Sequence, residues 1–262
     1  MFRESLQTAG LIESYARWRS SRLGQITDAL ERRLLFELLD PIACKSVLDV
    51  GCGDGELAAR LARAGAVVTG VDADPAMIAA ARRRAGVEGV ELRLVEGKAE
   101  APPFADESFD SVLAVATLCF VPDAAQAVKE LSRVLKPGGR LVIGELGRWS
   151  LWADYRRIRG WLGHPTWRAA RFPSQAELRR LLEGARLDVI ETRGAVYYPP
   201  CGAVARLLAP IDPWLGRRAI FGAAAFIAIS AAKPVEGGEL RKSPTPWASS
   251  GGAERGRVGR ST

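Results

Sequence analysis

Between Val47 and Gly55 the chain reads VLDVGCGDG, a short apolar run that breaks into glycine at three alternate positions, Gly51, Gly53 and Gly55. The run Ser46 to Val50 predicts a buried strand, and Glu56 to Ala64 predicts a helix that stops at Gly65. A strand that passes into a helix through so tight a loop is half of a β-α-β unit, which commits the chain to a layered α/β architecture. Glycine permits the sharp turn and leaves main-chain atoms bare for a ligand. Open α/β sheets place ligands just outside the carboxyl ends of their strands, where this loop falls.

Spacing narrows the ligand. A dinucleotide-binding loop of the form G-x-G-x-x-G needs its third glycine at position 56, which is Glu56. That carboxylate would also repel a pyrophosphate drawn to the helix N-terminus. The loop therefore favours a nucleoside without phosphate. Asp72 follows the next predicted strand, Val67 to Val71, where a carboxylate can accept hydrogen bonds from both hydroxyls of a ribose. Its other reading is a surface acid capping a turn. Asp74-Pro75 already supplies the cap and first-turn proline of the helix that runs on through Arg84.

The alternation continues along the chain. Val90 to Val95, Ser111 to Ala116 and Arg140 to Glu145 predict further strands. Asp123 caps a helix to about Leu135, stopped by Lys136-Pro137-Gly138-Gly139. Upstream, Ile26 to Leu39 carries Leu30, Leu34, Leu35, Leu38 and Leu39 on one helical face. Downstream, Ser174-Gln-Ala-Glu177 forms a capping box that opens a helix to about Leu182. Leu187 to Tyr197 and Phe221 to Ala232 predict two long strands, with a short helix around Val204 to Leu208 between them. From Glu236 onward Gly, Ser, Pro and Arg prevail, a composition that predicts disorder. Apolar strands alternating with helices imply a mostly parallel sheet covered on both faces.

The set VLDVGCGDGELAARLA, VTGVDADPAMIAAAR, GKAEAPPFADESFDSVLAVATLCFVPD and ELSRVLKPGGRLVIGEL resembles the successive motifs of the class I S-adenosylmethionine-dependent methyltransferases. The resemblance spans about residues 45 to 146 and is nearest the small-molecule branch that includes the quinone-biosynthesis (type 11) enzymes. It implies a Rossmann-like, doubly wound, mostly parallel seven-stranded sheet with an antiparallel C-terminal strand and a small helical cap. By position it implies that Asp49, Gly51 and Gly53 line the methionine part of the cofactor and that Asp72 holds the ribose. Ala73 and Met77 would pack near the adenine, Ala99 would meet its edge, and Val115 or Ala116 would face the amine. Lys98 departs from the pattern: relatives often have an acid there to read the adenine amino group, and lysine cannot accept that bond. Glu100 or main-chain atoms then take that part.

On this reading residues 1–40 are a helical segment contributing to the acceptor pocket, and 41–146 the cofactor-binding core. A basic, aromatic insertion with a helix occupies 147–185, two strands that complete the sheet 186–233, and a disordered tail 234–262. From Arg148 to Phe172 the chain interleaves Trp149, Trp152, Trp161 and Trp167 with arginines and a single acid, Asp154. Three readings stay open. The segment is a lid over a planar or anionic substrate, a foot on a membrane interface that reaches a lipophilic one, or the core of a capping subdomain. Methyl transfer needs a general base only when the acceptor loses a proton, and His164 and Tyr15 are the candidates.

Composition removes several alternatives. One His rules out chemistry that needs a His pair, and Cys44, Cys52, Cys119 and Cys201 are too scattered for a zinc site, so no metal is expected. Reduced thiols and the lack of a signal-like N-terminal stretch point to the cytoplasm. The net charge of +7 keeps a nucleic-acid methyltransferase as a rival. Against it, Ala116-Thr-Leu-Cys-Phe-Val121 lacks the Asn/Asp-Pro-Pro-aromatic motif of base-amino methylation, and Cys119 follows Leu118 where carbon-5 cytosine chemistry wants Pro. A non-catalytic S-adenosylmethionine-binding module is the other rival, though nothing in the loop is broken. The expected partner is a small organic acceptor methylated on oxygen, carbon or nitrogen.

Overall fold

Residues 14–218 and 223–235 are described by a computed structural model of the chain. Their hydrophobic runs form one sheet of strands β1 (Ser46–Val50), β2 (Val67–Asp72), β3 (Arg93–Glu96), β4 (Phe109–Val115), β5 (Leu135–Leu146), β6 (Asp188–Ala195) and β7 (Phe226–Ala232). Their order is β3-β2-β1-β4-β5-β7-β6. The first five strands pair in parallel, and β7 lies antiparallel to both β5 and β6. The doubly wound, mostly parallel sheet and its antiparallel C-terminal strands are as expected. Strand order reverses between β1 and β4, which opens a crevice at their carboxyl ends.

The sheet is apolar on both faces because helices cover both. Alternate residues divide between two cores: Val112 and Ile143 face one side, Leu113 and Val142 the other. The first core packs against α4 (Ala124–Val134) and α7 (Gln175–Gly184) through Leu131, Leu178 and Leu182. On the opposite face lie α1 (Arg22–Leu39), with Leu34, Leu35, Leu38 and Leu39 buried, and α2 (Glu56–Arg63). Helix α3 (Pro75–Glu88) flanks β2 and β3.

Helix ends follow local chemistry. The carboxylate of Asp74 accepts from Ala76 N, and that of Asp123 from Gln126 N. Ser174 and Glu177 exchange both bonds of the capping box. Gly89, at φ 62°, ends α3 four residues later than the sequence suggests. The Lys136-Pro137-Gly138-Gly139 segment also corrects its prediction. It is the irregular start of β5, with Leu135 paired to Phe109 and a register shift before Ser111.

The 147–185 stretch holds two helices that no apolar period announced, α5 (Leu151–Trp161) and α6 (Pro165–Ala169). Two more short helices, α8 (Gly202–Leu208) and α9 (Asp212–Gly216), precede β7. That strand begins at Phe226 rather than Phe221, and residues 219–222 lie outside the described set, as does the tail from 236. Among the described residues no helix is long and apolar enough to cross a membrane.

Phe226 is among the largest side chains buried completely, and its ring fills the space where a Cβ on Gly144 would come within 2.4 Å. Phe226→Ala should lower unfolding free energy by about 3–5 kcal/mol, read as a lower urea midpoint at unchanged slope.

Candidate active site

Three glycines of the β1–α2 loop all have φ between 54° and 76°, but each is glycine for a different reason. A Cβ on Gly51 would lie 2.5 Å from Thr117 Oγ1, so the loop touches the segment after β4 there. On Gly55 it would lie 2.8 Å from the Cβ of Ala81, so α2 and α3 close on each other. On Gly53 it would meet nothing within 4 Å. That open side is where a ligand can reach the main chain.

Two carboxylates border this opening. Asp49, near the end of β1, is 3% exposed, and its Oδ2 has no hydrogen-bond partner among the described residues. Burial, reinforced by the charges of Asp72 and Glu56, pushes its pKa up to about 7. Asp72 ends β2; its Oδ2 accepts from Gly53 N and its Oδ1 from Asp74 N, each at 2.9 Å. Its pKa is also raised by burial, against the pull of those bonds. An orphaned buried carboxylate calls for a cation, and bare backbone with a fixed acid suits a ribose. This donor set fits a positively charged, phosphate-free nucleoside such as S-adenosylmethionine. Ala73 and Met77 follow Asp72 at the start of α3, and Ala99 is buried between the Lys98–Ala101 bridge positions.

The tip of β4 continues the site. Val115 and Ala116 are half-buried, and Ala116 holds a left-handed φ of 47° while its N–H donates to Gly144 O at 2.7 Å. Thr117 Oγ1 lies 2.9 Å from Val50 O. Both features are fastened by an acid that sequence reading passed over as the end of a strand. Glu145 is 0% exposed, and its Oε1 accepts from Thr117 N at 3.1 Å and Leu118 N at 2.7 Å. Its Oε2 has no partner, and burial raises its pKa to about 7. The neighbouring Cys119 is a buried thiol whose pKa burial and Glu145 drive upward, the opposite of an activated nucleophile.

The basic, aromatic insertion divides by side. Trp152 is buried, donates its indole N–H to Tyr198 O at 2.8 Å, and meets Trp18 edge-on. Arg156, one turn on, is buried between the same elements, with Trp167 half-buried beside it. Trp149 and Trp161 point outward, Trp161 with 93% of its surface exposed. Buried, half-buried and outward-facing tryptophans are therefore all present in one segment.

The two base candidates part company. Tyr15 lies in the helical stretch 14–20, stacked on Trp18 and under the Arg19 guanidinium, with 51% of its surface exposed. Arg19 ties that stretch to the glycine loop through Asp54 and, at 3.4 Å, Glu56. His164 caps α6 with its ring 6.1 Å from that of Trp167; burial and Arg159 lower its pKa. No hydrogen bond joins His164 to Asp49, Asp72 or Glu145 among the described residues, and its Nδ1 has no partner. No group of three or more His, Cys, Asp or Glu among the described residues could hold a metal.

Known proteins agree with this geometry. The family described as a methyltransferase domain matches residues 48–143. A ubiquinone biosynthesis O-methyltransferase of a Methylobacterium species is 33% identical over 203 residues, covering 74% of this chain and 81% of that one. An uncharacterized protein of Mycobacterium tuberculosis is 37% identical over 218 residues, 83% of this chain and 70% of its own. A solved S-adenosylmethionine-dependent methyltransferase of Thermotoga maritima, described as a possible histamine N-methyltransferase, superposes with a TM-score of 0.65 at 27% identity. It matches 85% of this chain and 96% of its own. With an orphaned carboxylate at the glycine loop, an acid at the next strand tip and relatives aligned across both, the chain belongs to the class I S-adenosylmethionine-dependent methyltransferases of the type 11 branch.

Proposed function

We propose that the chain transfers the methyl group in line to oxygen, carbon or nitrogen of a small organic acceptor held beneath α5 and α6. One observation carries the reading: the loop that lies open at Gly53 touches Thr117 through Gly51, and Glu145 holds Thr117 and Leu118 beside the buried Cys119 under the insertion. Cofactor seat and acceptor pocket thus share a wall.

When bound, S-adenosylmethionine supplies a methyl on a cationic sulfur, a group ready for displacement. The chain's own residues bind and align. Gly51 and Gly53 expose main chain to the methionine part, and Asp49 gives its positive charge a buried counter-charge. Asp72, already oriented by Gly53 N, takes the ribose hydroxyls. Ala73, Met77 and Ala99 flank the adenine, and Val115 and Ala116 face the amine. Holding acceptor and donor in line contributes up to roughly 7–11 kcal/mol in favourable cases. Where the acceptor loses a proton, His164 and Tyr15 are the bases proposed from the sequence, with the buried Glu145 a third. Four free thiols suit a reducing cytoplasm.

Purified protein given methyl-labelled cofactor and a metabolite extract should yield a labelled product heavier by one methylene. Asp72→Asn should weaken cofactor binding about tenfold by calorimetry, since a charge-assisted bond is lost. Heat from a nicotinamide dinucleotide and none from S-adenosylmethionine would overturn the assignment. A pH titration tests Asp49 separately. Its carboxyl is protonated below about 7 and ionised above, so affinity for the cationic cofactor should rise as pH climbs through that value. In Asp49→Asn that slope should vanish.

A further inference from the structure

Among the described residues Arg156 is a buried cation with no ion-pair partner. It is 7% exposed, and its Nη1 has no hydrogen-bond partner among the described residues. The arginines on either side differ: Arg148 pairs with Glu177 at 2.8 Å and Arg157 with Asp154 at 2.9 Å, both near the surface. What surrounds Arg156 is aromatic, with its Cζ 5.2 Å from the ring centroids of both Trp152 and Trp167. Cation–π contact offsets only part of the cost of stripping water from a guanidinium. Glu31 feels its charge from α1, yet makes no ion pair with it. Loss of hydration raises the Glu31 pKa against the pull of Arg156. The buried positive charge is left for something else.

Its place says what. Arg156 sits in the insertion, which closes on the segment after β4 where Arg171 N–H donates to Cys119 O at 2.8 Å, two residues beyond the Thr117 that touches Gly51. It therefore stands on the acceptor side of the shared wall, an assignment that rests on the methyltransferase reading above. We propose that Arg156 is the anchor for a carboxylate on the methyl acceptor, and that the substrate class is small planar carboxylic acids.

The guanidinium edge offers two parallel N–H donors that match the two oxygens of a carboxylate. One unpaired cation balances one monoanion. A phosphate, with nearly two charges, would need a second cation, and Arg148 and Arg157 are already paired. The indoles of Trp152 and Trp167 give a flat skeleton surfaces to lie against. The anchor is a binding and orienting group, with no part in the bond changes.

The test uses the full chain saturated with S-adenosylhomocysteine and titrated with benzoate, salicylate and indole-3-carboxylate, each beside its carboxamide. Binding is read by calorimetry and by tryptophan fluorescence. At least one acid should bind about tenfold or more tighter than its amide. Arg156→Gln should erase that preference while leaving S-adenosylhomocysteine affinity within about twofold. A merely structural arginine would lower both affinities and leave the preference intact. Equal binding of acid and amide by the unaltered protein overturns the proposal, as does the failure of every acid to bind. A preference that survives in Arg156→Gln overturns it too. If that variant loses cofactor-product binding, the acid–amide comparison on the unaltered protein decides. Should S-adenosylhomocysteine give no heat while the preference and its loss persist, the cofactor reading fails and the anion site stands.

Discussion

The contact between Gly51 and Thr117 is the constraint on which the site depends. No side chain fits between the loop after β1 and the segment after β4, so the two strand tips at the sheet's reversal point are locked together. Glu145 completes the lock from β5 by receiving the N–H groups of Thr117 and Leu118 on one oxygen. Three adjacent parallel strands thus present their carboxyl ends as one rigid rim. On one side of it the loop lies open at Gly53; on the other the insertion folds down over Cys119.

Ionisable groups buried behind that rim give it a bias. Asp49 and Glu145 have pKa values raised by lost hydration, to about 7 in each case. A carboxyl whose pKa is higher in the folded chain than in the unfolded one stabilises the fold at low pH. That contribution fades as pH rises through the folded value. The ligand-free protein therefore holds these acids at a cost near neutrality that a bound cation relieves. Arg156 is the converse case, a cation whose ionised form is disfavoured by its burial. Opposite charges left open on the two sides of one wall suit two reactants of opposite character.

Much of the fold was legible because strand and helix periods, caps and glycines are local signals. Asp74, Asp123 and the Ser174–Glu177 pair each declare a helix start through chemistry contained within a few residues. The glycine loop and Asp72 were legible for the same reason. What escaped depends on packing. Trp149, Trp152, Trp161 and Trp167 are one residue type in one segment, and only the docking of α5 and α6 decides which face inward. Glu145 reads as the polar end of a strand until Thr117 and Leu118 are seen to point at it. Arg156 is one of several arginines until Arg148 and Arg157 find acids near the surface. The early start of β5 was hidden by Pro137 and Gly138, which favour a turn but here sit in a bulged strand start.

The position of β7 has a consequence for how the chain is made. This last strand lies between β5 and β6, pairing with the first from Arg140 to Leu146 and with the second from Asp188 to Ala195. During synthesis β6 therefore emerges with no neighbour to join, and the flank of β5 stays bare until Phe226 to Ala232 have left the ribosome. A nascent chain halted short of that point presents an unpaired strand edge, the kind of surface that chaperones cover and aggregates recruit. A strand buried along its whole length is thus also the clasp whose late arrival closes the sheet.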